Sequence, residues 1–302
     1  MYPRVGVKMF TKYVRIGALV LLPWFGVQQS YAQTPAAASG MRQTFSETFD
    51  APLSWCSDVC NGERWRTKYS HSGSAPLSRD LGINGTDDIM MDPSYLGLGV
   101  NPFHINNRTL SISIEPASPR VKTTVQAAWP WWWGGPHPAP KFTAGMLTTE
   151  KSFNQRYGYF EARIKVSDVR GTWPAFWLLG PPGNSDIDEI DIMEMLGGRP
   201  TQQHMSHKWG GPETGKKNQG FTLDTIDLSR DFHTYGLLWT AETIAYYLDD
   251  VQVAKFSNPG LHYPMYMIIS SGMDGSWNEQ EHFMAADDAH STMQVKWVKA
   301  YQ

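Results

Sequence analysis

Glu189-Ile190-Asp191-Ile192-Met193-Glu194 sets three carboxylic acids within six residues, with apolar side chains between them. Ile190, Ile192 and Met193 favour a buried strand, in which side chains alternate between faces. Glu189 and Asp191, two apart, then share one face. Glu194 is five from Glu189, so strict alternation aims it at the other. One extra residue, forming a β-bulge, brings it back, and bulges often re-aim side chains beside functional sites. The hexapeptide therefore predicts a bulged strand that carries three acids side by side.

Strands surround it. The pattern predicts them over 142–150, 156–166, 173–179, 187–195, 203–209, 218–222, 232–239, 243–248, 251–256, 265–271 and 292–301. Such spacing, with turn signals between, indicates an all-β chain folded as a β-sandwich. Before these, Phe45 to Phe49 reads as a first strand. From Arg108 to Glu115, Leu110, Ile112 and Ile114 alternate with Thr109, Ser111 and Ser113, the mark of a half-buried strand. Residues 50–100, rich in Gly, Asp, Ser and Pro, read as loops and short strands. Residues 272–291 read as a polar loop, with a short helical turn within it left open. No helix-period segment of any length competes, and neither an internal repeat nor a second domain is expected.

Composition narrows the function classes. The chain has 302 residues, within the range of one large all-β domain. Residues 1–32 hold four basic and no acidic residues, so the formal net charge of -3 becomes about -7 for the remainder. Nothing in that balance suggests a nucleic-acid partner. Arg4, Lys8, Lys12 and Arg15 precede an apolar run from Ile16 to Val27, too short to span a bilayer comfortably. With Ser30-Tyr31-Ala32 as cleavage region, 1–32 reads as a signal peptide, and 33–44 as a short linker before a domain over 45–302. The expected product is secreted or periplasmic, free of the membrane after cleavage, and monomeric. Cys56 and Cys60 are too few for zinc. A small disulfide loop is expected in an oxidising compartment, with free thiols the alternative.

Three adjacent acids repel and raise one another's pKa, which is unfavourable in a plain structural role. The arrangement suits glycoside hydrolysis with retention, in which two carboxyls sit roughly 5–5.5 Å apart, one attacking the sugar and one protonating the leaving oxygen. On this reading Glu189 is the nucleophile, Glu194 the general acid/base, and Asp191 hydrogen-bonds Glu189 and helps set the protonation states. A solvated acidic edge strand or a calcium site is the alternative that the hexapeptide alone leaves open.

The hexapeptide also resembles the catalytic motif of glycoside hydrolase family 16 in its bulged form. Tyr157-Gly158-Tyr159-Phe160-Glu161-Ala162-Arg163 and Thr172-Trp173-Pro174-Ala175-Phe176-Trp177-Leu178-Leu179 resemble the strands before the motif in laminarinase-like members. Asp231-Phe232-His233-Thr234-Tyr235-Gly236, Leu238-Trp239-Thr240 and the closing Val295 to Gln302 resemble segments after it. The resemblance runs from about residue 45 to the end of the sequence. It implies a jelly roll with a concave substrate cleft and a polysaccharide substrate, and Asn101-Pro102-Phe103 resembles a segment of members that cut bacterial exopolysaccharides.

The same resemblance implies that Trp173 contacts sugar near the cleavage point. Trp173 and Trp177, four apart, share a face, with core packing the alternative for both. Glu161 and Arg163 share a face on a neighbouring strand and would bond either sugar or the catalytic acids, unless they form a structural ion pair. Family members usually show two histidines four apart after the motif. Here His204 and His207 are three apart, on opposite faces of a regular strand, so one meets substrate or Glu194 and the other need not. Trp209 is a further stacking candidate, as is Trp277, in a Gly275-Ser276-Trp277-Asn278 stretch that resembles a cleft loop. Trp129, Trp131, Trp132 and Trp133 lie in a Pro/Gly-broken loop that reads as a sugar platform or as a loop folded on its own apolar core. Lys296 stands where many relatives have a calcium-binding aspartate, so neither metal nor cofactor is expected. Hydrolysis, transglycosylation through the same covalent intermediate, and glucan binding without cleavage remain in view. Relatives of the last kind lack the glutamates that this sequence has.

Overall fold

The computed structural model describes residues 35–70, 79, 87–128, 139–181, 188–211, 214–273, 275, 277 and 284–302, and the backbone of 14–15. In chain order the first elements are β1 (Val14–Arg15), β2 (Gln43–Glu47), β3 (Trp55–Cys56), β4 (Trp65–Arg66), β5 (Asp88–Met90), β6 (Phe103–Asn106), β7 (Thr109–Pro116), helix α1 (Pro119–Ala128) and β8 (Phe142–Thr148). There follow β9 (Gly158–Lys165), β10 (Thr172–Leu179), β11 (Glu189–Glu194), β12 (Gln202–Trp209), β13 (Lys217–Asp224), β14 (His233–Trp239), β15 (Thr243–Leu248), β16 (Val251–Ser257), β17 (Tyr266–Met273) and β18 (Ser291–Tyr301).

Two layers form. One runs β13–β12–β11–β10–β17–β8, all antiparallel, with β11 near its middle. The other runs β16–β15–β14–β9–β18, and β7 and β2 share the far edge of β18. The layers join where Glu115 and Pro116 at the end of β7 pair with Thr143 and Phe142 of β8. Between them lie Ile112, Leu147, Phe160, Ala162, Ile164, Phe176, Leu178, Ile190, Ile192, Met193, Met205, Leu237 and Val298, all buried. Each buried Ile or Leu contributes about 1.5–3 kcal/mol by leaving water. The layers approach so closely at Gly145 that an added Cβ would lie 2.7 Å from the Ile112 side chain. Pro102 and Phe103 pack there too, while Asn101 is exposed.

A second apolar cluster lies on the opposite face of the β8–β17–β10 region. There Met146, Ile268, Tyr266 and Leu179 are covered by Tyr69 and Met90 from the earlier part of the chain. It raises a wall along one side of the face that carries the acids. The β-sandwich expected from the sequence is present, and the strand bounds agree to within about two residues.

Helix α1 was not expected. Its apolar face is only Val121 and Val125, four apart, which pack on Ile89, Met91 and Tyr95. Ser118 caps it, its Oγ accepting from Val121 N at 3.3 Å, and Pro119 occupies the first turn. Two β-branched contacts among threonines and charges are too short a stripe for periodicity to register. Cys56 and Cys60 form a disulfide. Lys296 donates to Thr109 Oγ1 at 2.7 Å and lies over the Phe232 ring. No helix among the described residues is long and apolar enough to cross a membrane.

Candidate active site

The bulge is where the sequence requires it. On β10, Ala175 pairs with Glu194, Phe176 with Met193 and Trp177 with Asp191, so Ile192 is the extra residue of β11. The register against β12 shifts over the same stretch, with Asp191 opposite Ser206 and Glu194 opposite His204. Ile190, Ile192 and Met193 all reach the inter-layer core, and Glu189, Asp191 and Glu194 share the other face.

Each acid has a different partner. Lys208 Nζ donates to Glu189 Oε1 and lies 3.1 Å from Asp191 Oδ2. The Ser206 hydroxyl donates to Asp191 Oδ2. Asp191 is 2% exposed, whereas Glu189 and Glu194 remain half-buried and reach the open face. Glu194 Oε1 accepts from Trp173 Nε1–H at 3.0 Å. Burial pushes both glutamates above the ordinary carboxylate range. Lys208 pulls both down and Asp191 pushes both up; after burial Lys208 is the larger influence at Glu189, which lies at about 7, and Asp191 at Glu194, which lies at about 8. A cation thus touches the first glutamate, and only a neutral donor bonds the last.

Aromatic rings close one end. Trp277 meets Trp173 edge-on, centroids 5.5 Å apart, and His204 at 4.6 Å. His204 Nδ1 is hydrogen-bonded to Thr222 Oγ1 at 3.0 Å, and burial drives its pKa down to about 4, which leaves it neutral. Trp177 stands across from Asp191, donates Nε1–H to Ser270 Oγ at 3.2 Å and packs partly on the second cluster. Trp132 and its neighbouring tryptophans lie outside the described residues.

Four sequence candidates are elsewhere. His207 is fully buried in the core, bonded to Tyr246 OH at 3.3 Å. Trp209 shares its face and stacks on it at 5.5 Å. With Ser206 and Lys208 toward the acids, alternation along β12 sends 207 and 209 inward. Glu161 and Arg163 lie on β9, in the other layer. Phe160, Ala162 and Ile164 take its inner face, so Glu161 and Arg163 point outward, away from the acids. Glu161 accepts from Tyr301 OH at 3.1 Å and Arg163 donates to Thr234 Oγ1 at 3.3 Å.

The profile of glycosyl hydrolases family 16 matches residues 105–299. The chain belongs to glycosyl hydrolase family 16. It is 33% identical over 267 residues to the endo-1,3-1,4-beta-glycanase ExsH of Rhizobium meliloti (strain 1021), covering 87% of this chain and 52% of that protein. EglC, an endo-1,3-1,4-beta-glycanase of the same strain, is 33% identical over 268 residues, with the same two coverages. The chain spans about half the length of these relatives. In shape it is similar to SCLam, a non-specific endo-beta-1,3(4)-glucanase, with a TM-score of 0.65 at 21% identity over 87% of this chain and 92% of that one. LamAcat of Zobellia galactanivorans gives the same TM-score at 20% identity, covering 89% and 100%. These two likenesses speak for the jelly-roll fold.

Two polar residues of this family 16 site escaped the sequence reading. Lys208 is four residues after His204, where the resemblance led us to look for a second histidine. The residue at that spacing is a cation facing Glu189, and His207 is one position out of phase with it. Ser206 had a legible signal: it lies two from each of His204 and Lys208, on the same strand face. Among the described residues, no group of three or more His, Cys, Asp or Glu side chains is arranged to hold a metal ion.

Proposed function

We propose that this chain is an exported, endo-acting, retaining β-glycanase that hydrolyses β-1,3 or mixed β-1,3/1,4-glucan, or a related bacterial exopolysaccharide. The observation that carries the reading is the bulged β11, with Glu189, Asp191 and Glu194 on one open face and a cation on Glu189 alone of the two glutamates. Glu189 attacks the anomeric carbon as the carboxyl of Glu194 protonates the leaving glycosidic oxygen, so one C–O bond breaks as another forms. Glu194, now a carboxylate, takes a proton from water. The resulting oxygen attacks the same carbon and releases Glu189. Asp191 holds the network between them. Trp173, Trp177 and Trp277 offer ring faces and edges to successive sugars, and binding along a chain can be used to distort the ring at the cleavage point. ExsH and EglC are endo-1,3-1,4-beta-glycanases, which supports the choice of linkages. The basic-then-apolar pattern of residues 1–32 supports export.

The test is purified protein against β-1,3-glucan, mixed-linkage glucan, an acidic bacterial glucan and agar, with viscosity, reducing ends and product size followed together. Internal cleavage lowers viscosity before reducing ends accumulate. Release of only glucose or disaccharide from chain ends, or activity on agar alone, overturns the reading.

A further inference from the structure

Lys208 stands opposite Glu189 in the β11–β12 register and bridges two of the three acids. The contact to Asp191, at 3.1 Å, does not depend on Glu189. It therefore persists when Glu189 is esterified by the sugar and loses its charge. The third acid, Glu194, bonds the Trp173 N–H. Three carboxyls and one cation hold one proton fewer than neutrality needs if Glu194 alone is protonated. Placing that proton on Glu189 would set a neutral acid against an ammonium and leave Glu194 charged against an indole. The cation thus separates two otherwise similar glutamates.

We propose that Lys208 is a positioning residue that keeps Glu189 ionised and directs the site's proton to Glu194. The assignment rests on the double-displacement reading of Glu189 and Glu194 given above. Other titratable groups around the pair do not compete. His204 and His207 on β12 are both pushed down to about 4 by burial. Tyr246 on β15 and Tyr266 on β17 are pushed well above neutrality by burial. Lys208 itself stays protonated, because its three acid neighbours outweigh the cost of burial. The histidines therefore titrate well below Glu189, which burial raises to about 7, and the tyrosines and Lys208 well above it.

The experiment is kcat and KM across pH for the parent, K208M, K208Q and K208R, with melting temperatures to confirm folding. Losing an opposite charge at this distance should raise the acidic limb by about one to three pH units in K208M and K208Q. kcat should fall most at low pH and KM should change little. K208R should keep the parent's acidic limb. A folded K208M or K208Q with the parent's limb, or a K208R as shifted as K208M, overturns the proposal. So does a failure of all three variants to fold, since that marks Lys208 as structural. The underlying reading fails in a different way, through E189Q retaining full activity.

Discussion

The two layers of the sandwich each bury acid on their outer face, with opposite results. On one, Glu189, Asp191 and Glu194 line an open face with Lys208, Ser206 and Trp173 as partners. On the other, Glu161 is 2% exposed on β9, bonded to Tyr301 OH, and burial pushes it up to about 7. Next to it Tyr159 and Tyr301 are covered by Ala38 and Met41 of the segment that precedes β2. A raised pKa is common to both places. Glu161 has a cover beside it and only Asp250 as an acid neighbour, whereas Glu189 and Glu194 are half-buried, with a third acid between them and rings beside them. A buried acid becomes a functional candidate through access and company, and burial alone does not make it one.

The largest expected effect separates the two faces by rate. E189Q and E194Q should each lower kcat by about a thousandfold or more, since each removes an essential group, and both should keep a folded thermal transition. With azide and a substrate carrying a good leaving group, E194Q should recover activity and E189Q should not. Full activity in either variant would erase the distinction drawn here. D191N should lose less than E189Q, because Asp191 acts through its neighbours; a loss as deep as E189Q's would make it a direct participant.

A smaller change comes from Trp173. In W173F, Glu194 loses the hydrogen bond that favours its charged form, so the alkaline limb of the kcat/KM profile should move up. An unmoved limb would mean that the indole does not act on Glu194.

The outer face gives the smallest effect on rate and a clear one on stability. E161Q should leave kcat and KM unchanged. Glu161 is raised from 4.5 to about 7, so its contribution to stability is present below about pH 4.5 and is lost as pH rises through about 7. The glutamine has no charge to bury and can still accept from Tyr301. E161Q should therefore match the parent at pH 4 and exceed it at pH 8 by on the order of 2 kcal/mol, read from thermal or denaturant melts. E194Q should show the same sign of stabilisation at pH 8 and yet be inactive. An inactive E161Q would break the comparison.

Most of the fold was legible because period-2 alternation is strong in these strands, and Ile190, Ile192 and Met193 marked β11 as central. The bulge was legible from the five-residue gap between Glu189 and Glu194, since only an inserted residue puts both on one face. The assignment of faces across different strands was not. Glu161 and Arg163 look the same in sequence whether β9 joins the layer of β11 or the opposite one, and that depends on pairing with β14 and β18 far along the chain. His207 against Lys208 is a one-residue phase choice, and alternation cannot make it without knowing which residue of β12 faces Glu189. Helix α1 was hidden by its two-residue apolar stripe.

The central claim is that two glutamates on one bulged strand act by double displacement. Proton NMR of the first minutes of hydrolysis tests it most directly. Retention requires the reducing end to appear first as the β anomer, with the α signal growing later by mutarotation. An initial α signal would mean direct attack by water across a carboxyl gap of roughly 6.5–9.5 Å, and would contradict the account.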